Sequence, residues 1–158
     1  MKKFFTLIVA TLMASSMMAQ MHGALTFAGA SSINVQTQNT GNASDTIRFE
    51  MASMSAGNIT LPVMQGMAAI PSFTIENVAF SMGENHVISI AEQTFASKVT
   101  VNGEEKNIEG SSISGSYNMA DNSLTLKAVF KYGAMPFDLT YEVKAYYVKP
   151  VASAITVN

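Results

Sequence analysis

Phe137-Asp-Leu-Thr-Tyr-Glu-Val-Lys-Ala145 alternates apolar and polar residues without a break. Side chains on a strand point to opposite faces with period two, so this stretch reads as a β-strand with one apolar and one polar face. The same alternation recurs on either side. Leu124, Leu126, Ala128 and Phe130 oppose Ser123, Thr125, Lys127 and Val129, and Ile47, Phe49 and Met51 alternate with Thr46, Arg48 and Glu50. Val99 and Val101 alternate with Lys98, Thr100 and Asn102. Phe73 with Ile75 and Val78 with Phe80 form two in-phase pairs separated by a slip of one residue, which predicts a β-bulge at Glu76 and Asn77.

Turn chemistry punctuates these runs. Asn102-Gly-Glu-Glu105, Met119-Ala-Asp-Asn122, Gly83-Glu-Asn85 and Ala56-Gly-Asn58 carry the residues that tolerate the positive φ of tight hairpins. Residues 38–45 are the most polar stretch and read as one exposed loop. Met64 to Ala69, bounded by Pro62 and Pro71, and Ala96 to Lys98 read as places for a single helical turn, the first within a connecting loop or lid. Val151 to Val157, after Pro150, reads as a closing or edge strand.

Eight to ten short strands joined by hairpins make a meander, about the spacing seen in sandwiches and barrels. One-faced strands must cover their apolar side, and with no helical stripe to do so the sheet closes on itself. The expected fold is all-β, an antiparallel up-and-down barrel, with a two-sheet sandwich as the alternative.

Lys2 and Lys3, an apolar run from Phe4 to Ala14, and Ser15 and Ser16 leading to Ala19 form the pattern of a secretory signal peptide. The run is shorter than the roughly 20 residues that span a bilayer, so cleavage between Ala19 and Gln20 is expected instead of a retained anchor. Residues 1–19 are then the signal and residues 20–158 one domain. Such a chain is exported, to the periplasm, the cell surface or the medium. It has no cysteine, which removes disulfides, thiolate ligands and a lipidated cysteine. Without Lys2 and Lys3 the net charge falls from −2 to −4, and Arg48 is the single arginine, so nucleic acid is not an expected partner.

From Phe73-Thr-Ile-Glu-Asn-Val-Ala-Phe80, through Ser111-Ser-Ile-Ser-Gly-Ser-Tyr117, to Leu139-Thr-Tyr-Glu-Val-Lys144, the chain resembles the bacterial calycin-like β-barrel family of exported proteins, lipocalin-like in shape. That resemblance implies a barrel with space for an internal cavity and implies no reaction. The tryptophan of true lipocalins is absent.

No catalytic motif stands out, and no cofactor is expected. Gly110-Ser-Ser-Ile-Ser-Gly115 lacks the glycine spacing of a nucleophile elbow and falls on a strand. His22 and His86 have no second ligand at metal spacing. Glu84, His86, Glu104 and Glu105 read as solvated turn residues. Met51-x-x-Met54 and Met64-x-x-Met67 have the thioether spacing that suits Cu(I), and of these Met64 and Met67 are the better placed for chelation. Methionine is also an adaptable core filler, the simpler reading. Asp45-Thr46-Ile47 resembles a short acceptor for O-glycosylation at Thr46.

The leading expectation is therefore a non-catalytic binding module. Its interior, lined by Phe49, Phe73, Phe80, Leu126, Phe130, Leu139 and Tyr141, would take a small apolar or amphipathic ligand. The alternative is an envelope protein whose barrel is filled by its own side chains and which acts on a protein partner. An outer-membrane barrel is a third reading, because apolar-in and apolar-out alternation look alike in sequence.

Overall fold

Nine antiparallel strands follow the period-two runs in this computed structural model, which describes residues 24–64 and 69–149. They are β1 (Leu25–Val35), β2 (Gln38–Met51), β3 (Ala56–Leu61), β4 (Phe73–Ala79), β5 (Ser81–Met82), β6 (Val87–Val101), β7 (Glu104–Asn118), β8 (Ser123–Tyr132) and β9 (Leu139–Tyr147). The sheet runs β4-β3-β2-β1-β9-β8-β7-β6-β5. Because β4 and β5 are separated only by Phe80, the two ends of this order are one bent strand. The sheet is a nearly closed up-and-down barrel.

Alternation predicts the faces well. Leu124, Leu126, Ala128 and Phe130 are buried on β8, and Leu139, Tyr141, Val143 and Ala145 on β9, while Thr125, Lys127, Glu142 and Lys144 turn outward to differing degrees. The expected bulge is present: Gly57 pairs with Val78 and Ile59 with Ile75, so β4 carries an extra residue at Glu76–Asn77. Asn77 takes φ 57°, and its N–H donates to Asn58 Oδ1 at 3.0 Å. The hairpin at Asn102-Gly103 has positive φ at both residues, as its twist demands.

Four local expectations are corrected. Residues 38–45 are strand, not loop: Gln38 to Asn42 pair with β1 from Val35 to Ser31, so ladder bonds hold a polar segment. Ala56-Gly-Asn58 opens β3, and the turn lies before it, where Ala52 and Ser53 N–H groups donate to Ala56 O at 2.9 and 3.0 Å. Ala96 to Lys98 lies within β6, where its pairing with Glu109 to Asn107 overrides any helical turn. Phe137 is 41% exposed and precedes β9, since the bend after Tyr132 and Pro136 delays the strand to Leu139. Residues 1–19, the cleavage at Ala19, His22, Met67 and the strand expected at Val151 to Val157 lie outside the described residues.

Candidate functional site

The seven residues expected to line a chamber come from four strands and the β4–β5 junction, and all turn toward the core. Phe73, Phe80, Leu126, Phe130, Leu139 and Tyr141 are buried, and Phe49 is half-buried against the same core. Several of them meet one another in the core. The Phe73 and Phe130 rings stand edge to face with centroids 5.4 Å apart, Phe95 adds a second edge contact on Phe130 at 6.2 Å, and Phe49 meets Phe80 at 5.7 Å. Such T-shaped pairs satisfy the ring quadrupoles and fill space well.

A small pocket among the apolar side chains holds about 20 Å³. It lies between Leu25, Phe27, Ile47, Ile59, Ile88 and Leu126, with Phe49 at its rim, so only two of the seven expected lining residues touch it. A void of that size has room for about one water, and apolar walls give such a water no partner.

One polar group is built into this apolar interior. Asp45, on β2, is 6% exposed, and its Oδ2 accepts hydrogen bonds from Ser31 Oγ of β1 at 2.5 Å and from Tyr141 Oη of β9 at 2.9 Å. Its other oxygen accepts from Asn42 Nδ2 at 2.6 Å. These donors offset the desolvation of a buried carboxylate. Burial, with the nearby Asp45 charge and hydrogen bond, pushes the Tyr141 phenol far above its ordinary value of 10.0. Sequence reasoning missed this cluster, although a signal existed. Asp45 is in phase with Ile47 and Phe49, and Tyr141 with Leu139 and Val143, so parity alone placed a carboxylate and a phenol inside.

The other singled-out residues do not converge. Met64 is 1% exposed and bridges Ile70 through two backbone bonds of 2.9 Å, so its sulfur belongs to the core. Thr46 is exposed while Asp45 beside it points inward and is fully engaged. Glu104 and Glu105 each meet a lysine at 3.5 Å, Lys106 and Lys98 respectively. His86 sits in the β5–β6 turn at φ 59°.

The outer face is charged. Lys127 faces Glu142 across β8 and β9 at 3.9 Å, and Lys131 faces Asp138 at 3.5 Å.

No family model and no curated protein matches the chain. Among solved structures it is similar to a protein of Bacteroides fragilis, provisionally assigned to the outer membrane and determined by crystallography at 2.40 Å. The match has a TM-score of 0.63 at 21% identity and covers 79% of this chain. The chain spans about half of that neighbour, 51% of its length, and at this identity the likeness speaks for the fold.

Proposed function

We propose that this protein is a non-catalytic, exported β-barrel of the cell envelope whose interior is a filled scaffold and whose work is done by contacts on its outside. The observation that carries this reading is the packed core, where Phe73 and Phe95 both meet Phe130 and the small pocket among the apolar side chains holds about 20 Å³. Barrels of about eight strands are either filled by their own side chains or hold one ligand, and the core contacts favour the first. Export is supported by the signal-like pattern of residues 1–19, and an envelope location by the provisional outer-membrane assignment of the structural neighbour. The barrel shape agrees with the calycin-like resemblance at the level of fold.

The orientation of the faces speaks against lipid contact around the barrel. A membrane barrel carries its apolar band outside and polar residues within, and here Lys127, Glu142 and Lys144 are outside while Phe27, Phe130 and Leu126 are inside.

The ligand reading keeps one specific support, the small, mostly apolar pocket that Phe49 and Leu126 help to line. Thermal-shift measurements on the purified protein with oleate, cholate, protoporphyrin and Cu(I) separate the two. A filled scaffold gives no rise in Tm with any of them. A rise that grows with oleate concentration, and is lost when Ile47→Phe fills the void, establishes the binding module instead.

A further inference from the structure

Backbone ladders join every pair of neighbouring strands except along one line. β4 lies beside β6, yet among the described residues the barrel is closed by main-chain pairing only at Ser81 with Ser89 and Met82 with Ile88. From Thr74 to Ala79 the closure is made by side chains. The Gln93 carboxamide accepts from Ala79 N–H and donates to Ala79 O, both at 2.9 Å. Ser97 Oγ donates to Thr74 O at 2.7 Å. Beside the Ser97–Thr74 bond lies an open slot of about 570 Å³, bordered by Ser72, Thr74 and Glu76 on one side and by Ser97, Lys98 and Thr100 on the other.

A primary carboxamide is a side-chain copy of a peptide group, with one acceptor and a donor in the same plane. Gln93 therefore makes to Ala79 the donor-and-acceptor pair that a neighbouring strand makes in an antiparallel ladder. It does so from a strand that is already out of step, because the β6–β7 register shifts between Ile90 and Gln93 and again between Gln93 and Phe95.

We propose that the outer edge of β4, from Thr74 to Ala79, is an acceptor for an extended polypeptide segment of a partner, which adds as a strand where Gln93 and Ser97 now stand in. The proposal rests on the reading that the protein acts through its outside, and it names the class of partner. Open strand edges are templates for pairing, and proteins that use them bind by main-chain hydrogen bonds. What displaces Gln93 must present N–H and C=O groups at strand spacing. An extended peptide does this, whereas a lipid chain or a lone ion does not. Period two then sets its side chains: small apolar residues facing Phe73 and Phe95, and polar residues outward between Glu76 and Lys98.

The probe is a capped peptide of residues 91–100, the β6 segment that lies against this edge, titrated into the purified protein and followed by amide hydrogen exchange and chemical shift. Three forms are compared: the native chain, Gln93→Ala, and the double variant T74C/S97C oxidised to lock the seam. The peptide binds Gln93→Ala at least tenfold more tightly than the native chain, protects the Ala79 amide, and fails to bind the locked form until it is reduced. Equal binding to locked and unlocked protein overturns the proposal, as does no binding to a folded Gln93→Ala. If Gln93→Ala does not fold, Gln93→Asn, which keeps the amide but shortens its reach, takes its place in the same comparison. Peptide binding together with an oleate shift upholds the strand acceptor while removing the filled-scaffold reading. Neither result together removes the acceptor and leaves that reading standing.

Discussion

The β8–β9 wall and the β4–β6 seam are made from the same kind of residue and are closed by different means. Between β8 and β9 eight consecutive residues pair from Ser123 with Tyr146 to Phe130 with Leu139, with no shift of register. Along the seam the corresponding bonds come from Gln93 and Ser97, and β6 is bulged. The two regions still share one core, since Phe130 of β8 makes T-shaped contacts with both Phe73 from β4 and Phe95 from β6. Apolar packing from the wall thus holds the seam shut where hydrogen bonds are few. A ladder fixes register, and a packed core needs only volume and faces to match.

Removing the ring shared by wall and seam has the largest expected effect. Phe130→Ala should cost about 3–5 kcal/mol in denaturant unfolding, the range for deleting a large buried aromatic, and should raise exchange along β4 and β6 as well as β8. Thr125→Ala, on the exposed face of the same strand, should stay within about 0.5 kcal/mol. Equal losses would mean that the faces are wrongly assigned.

A second test concerns the wall's own polar anchor. Tyr141→Phe takes one donor from the buried Asp45 and should cost about 1–3 kcal/mol, measured by urea unfolding at neutral pH. The phenol also gives this site a pH signature. Its pKa is raised in the folded state above the ordinary 10.0, so its contribution is fully present below that pH. Above it the unfolded chain loses the proton that the folded chain keeps, and stability falls as pH rises. Unfolding curves between about pH 9 and pH 11 should show this decline in the native chain and a shallower one in Tyr141→Phe.

The seam should yield sooner than the wall under native conditions. Hydrogen exchange should find the amide of Ala79, whose acceptor is a side chain, less protected than those of Leu126 and Val143, and Gln93→Ala should widen the gap with a stability loss of about 1 kcal/mol. Uniform protection around the barrel would erase the distinction between the two regions. A close steric fit sharpens it further: a Cβ at Gly110 would run into the Phe95 ring that lies over it. Gly110→Ala should therefore cost about 1–3 kcal/mol and should loosen β6 first. The smallest effect belongs to the surface of the wall. Lys127→Ala removes an exposed pair with Glu142 and should change stability by about 0.5 kcal/mol or less, and less still in high salt.

What is local could be read from the residues alone. Period two assigned the strands and the inward face, Asn102-Gly103 set a hairpin, and the slip between Ile75 and Val78 placed the bulge at Glu76–Asn77. These features follow from φ/ψ preferences and side-chain parity within a few residues. What depends on distance across the barrel came with the folded arrangement of the strands. Asp45 and Tyr141 are 96 residues apart in the chain and meet because β2 and β9 both flank β1. Parity predicts that Phe73 and Phe130 point inward, and only the barrel's radius brings their rings, and that of Phe95, into contact. The seam was hidden for the same reason, because an open edge is a property of which strands end up side by side, and no single strand carries that in its own residues.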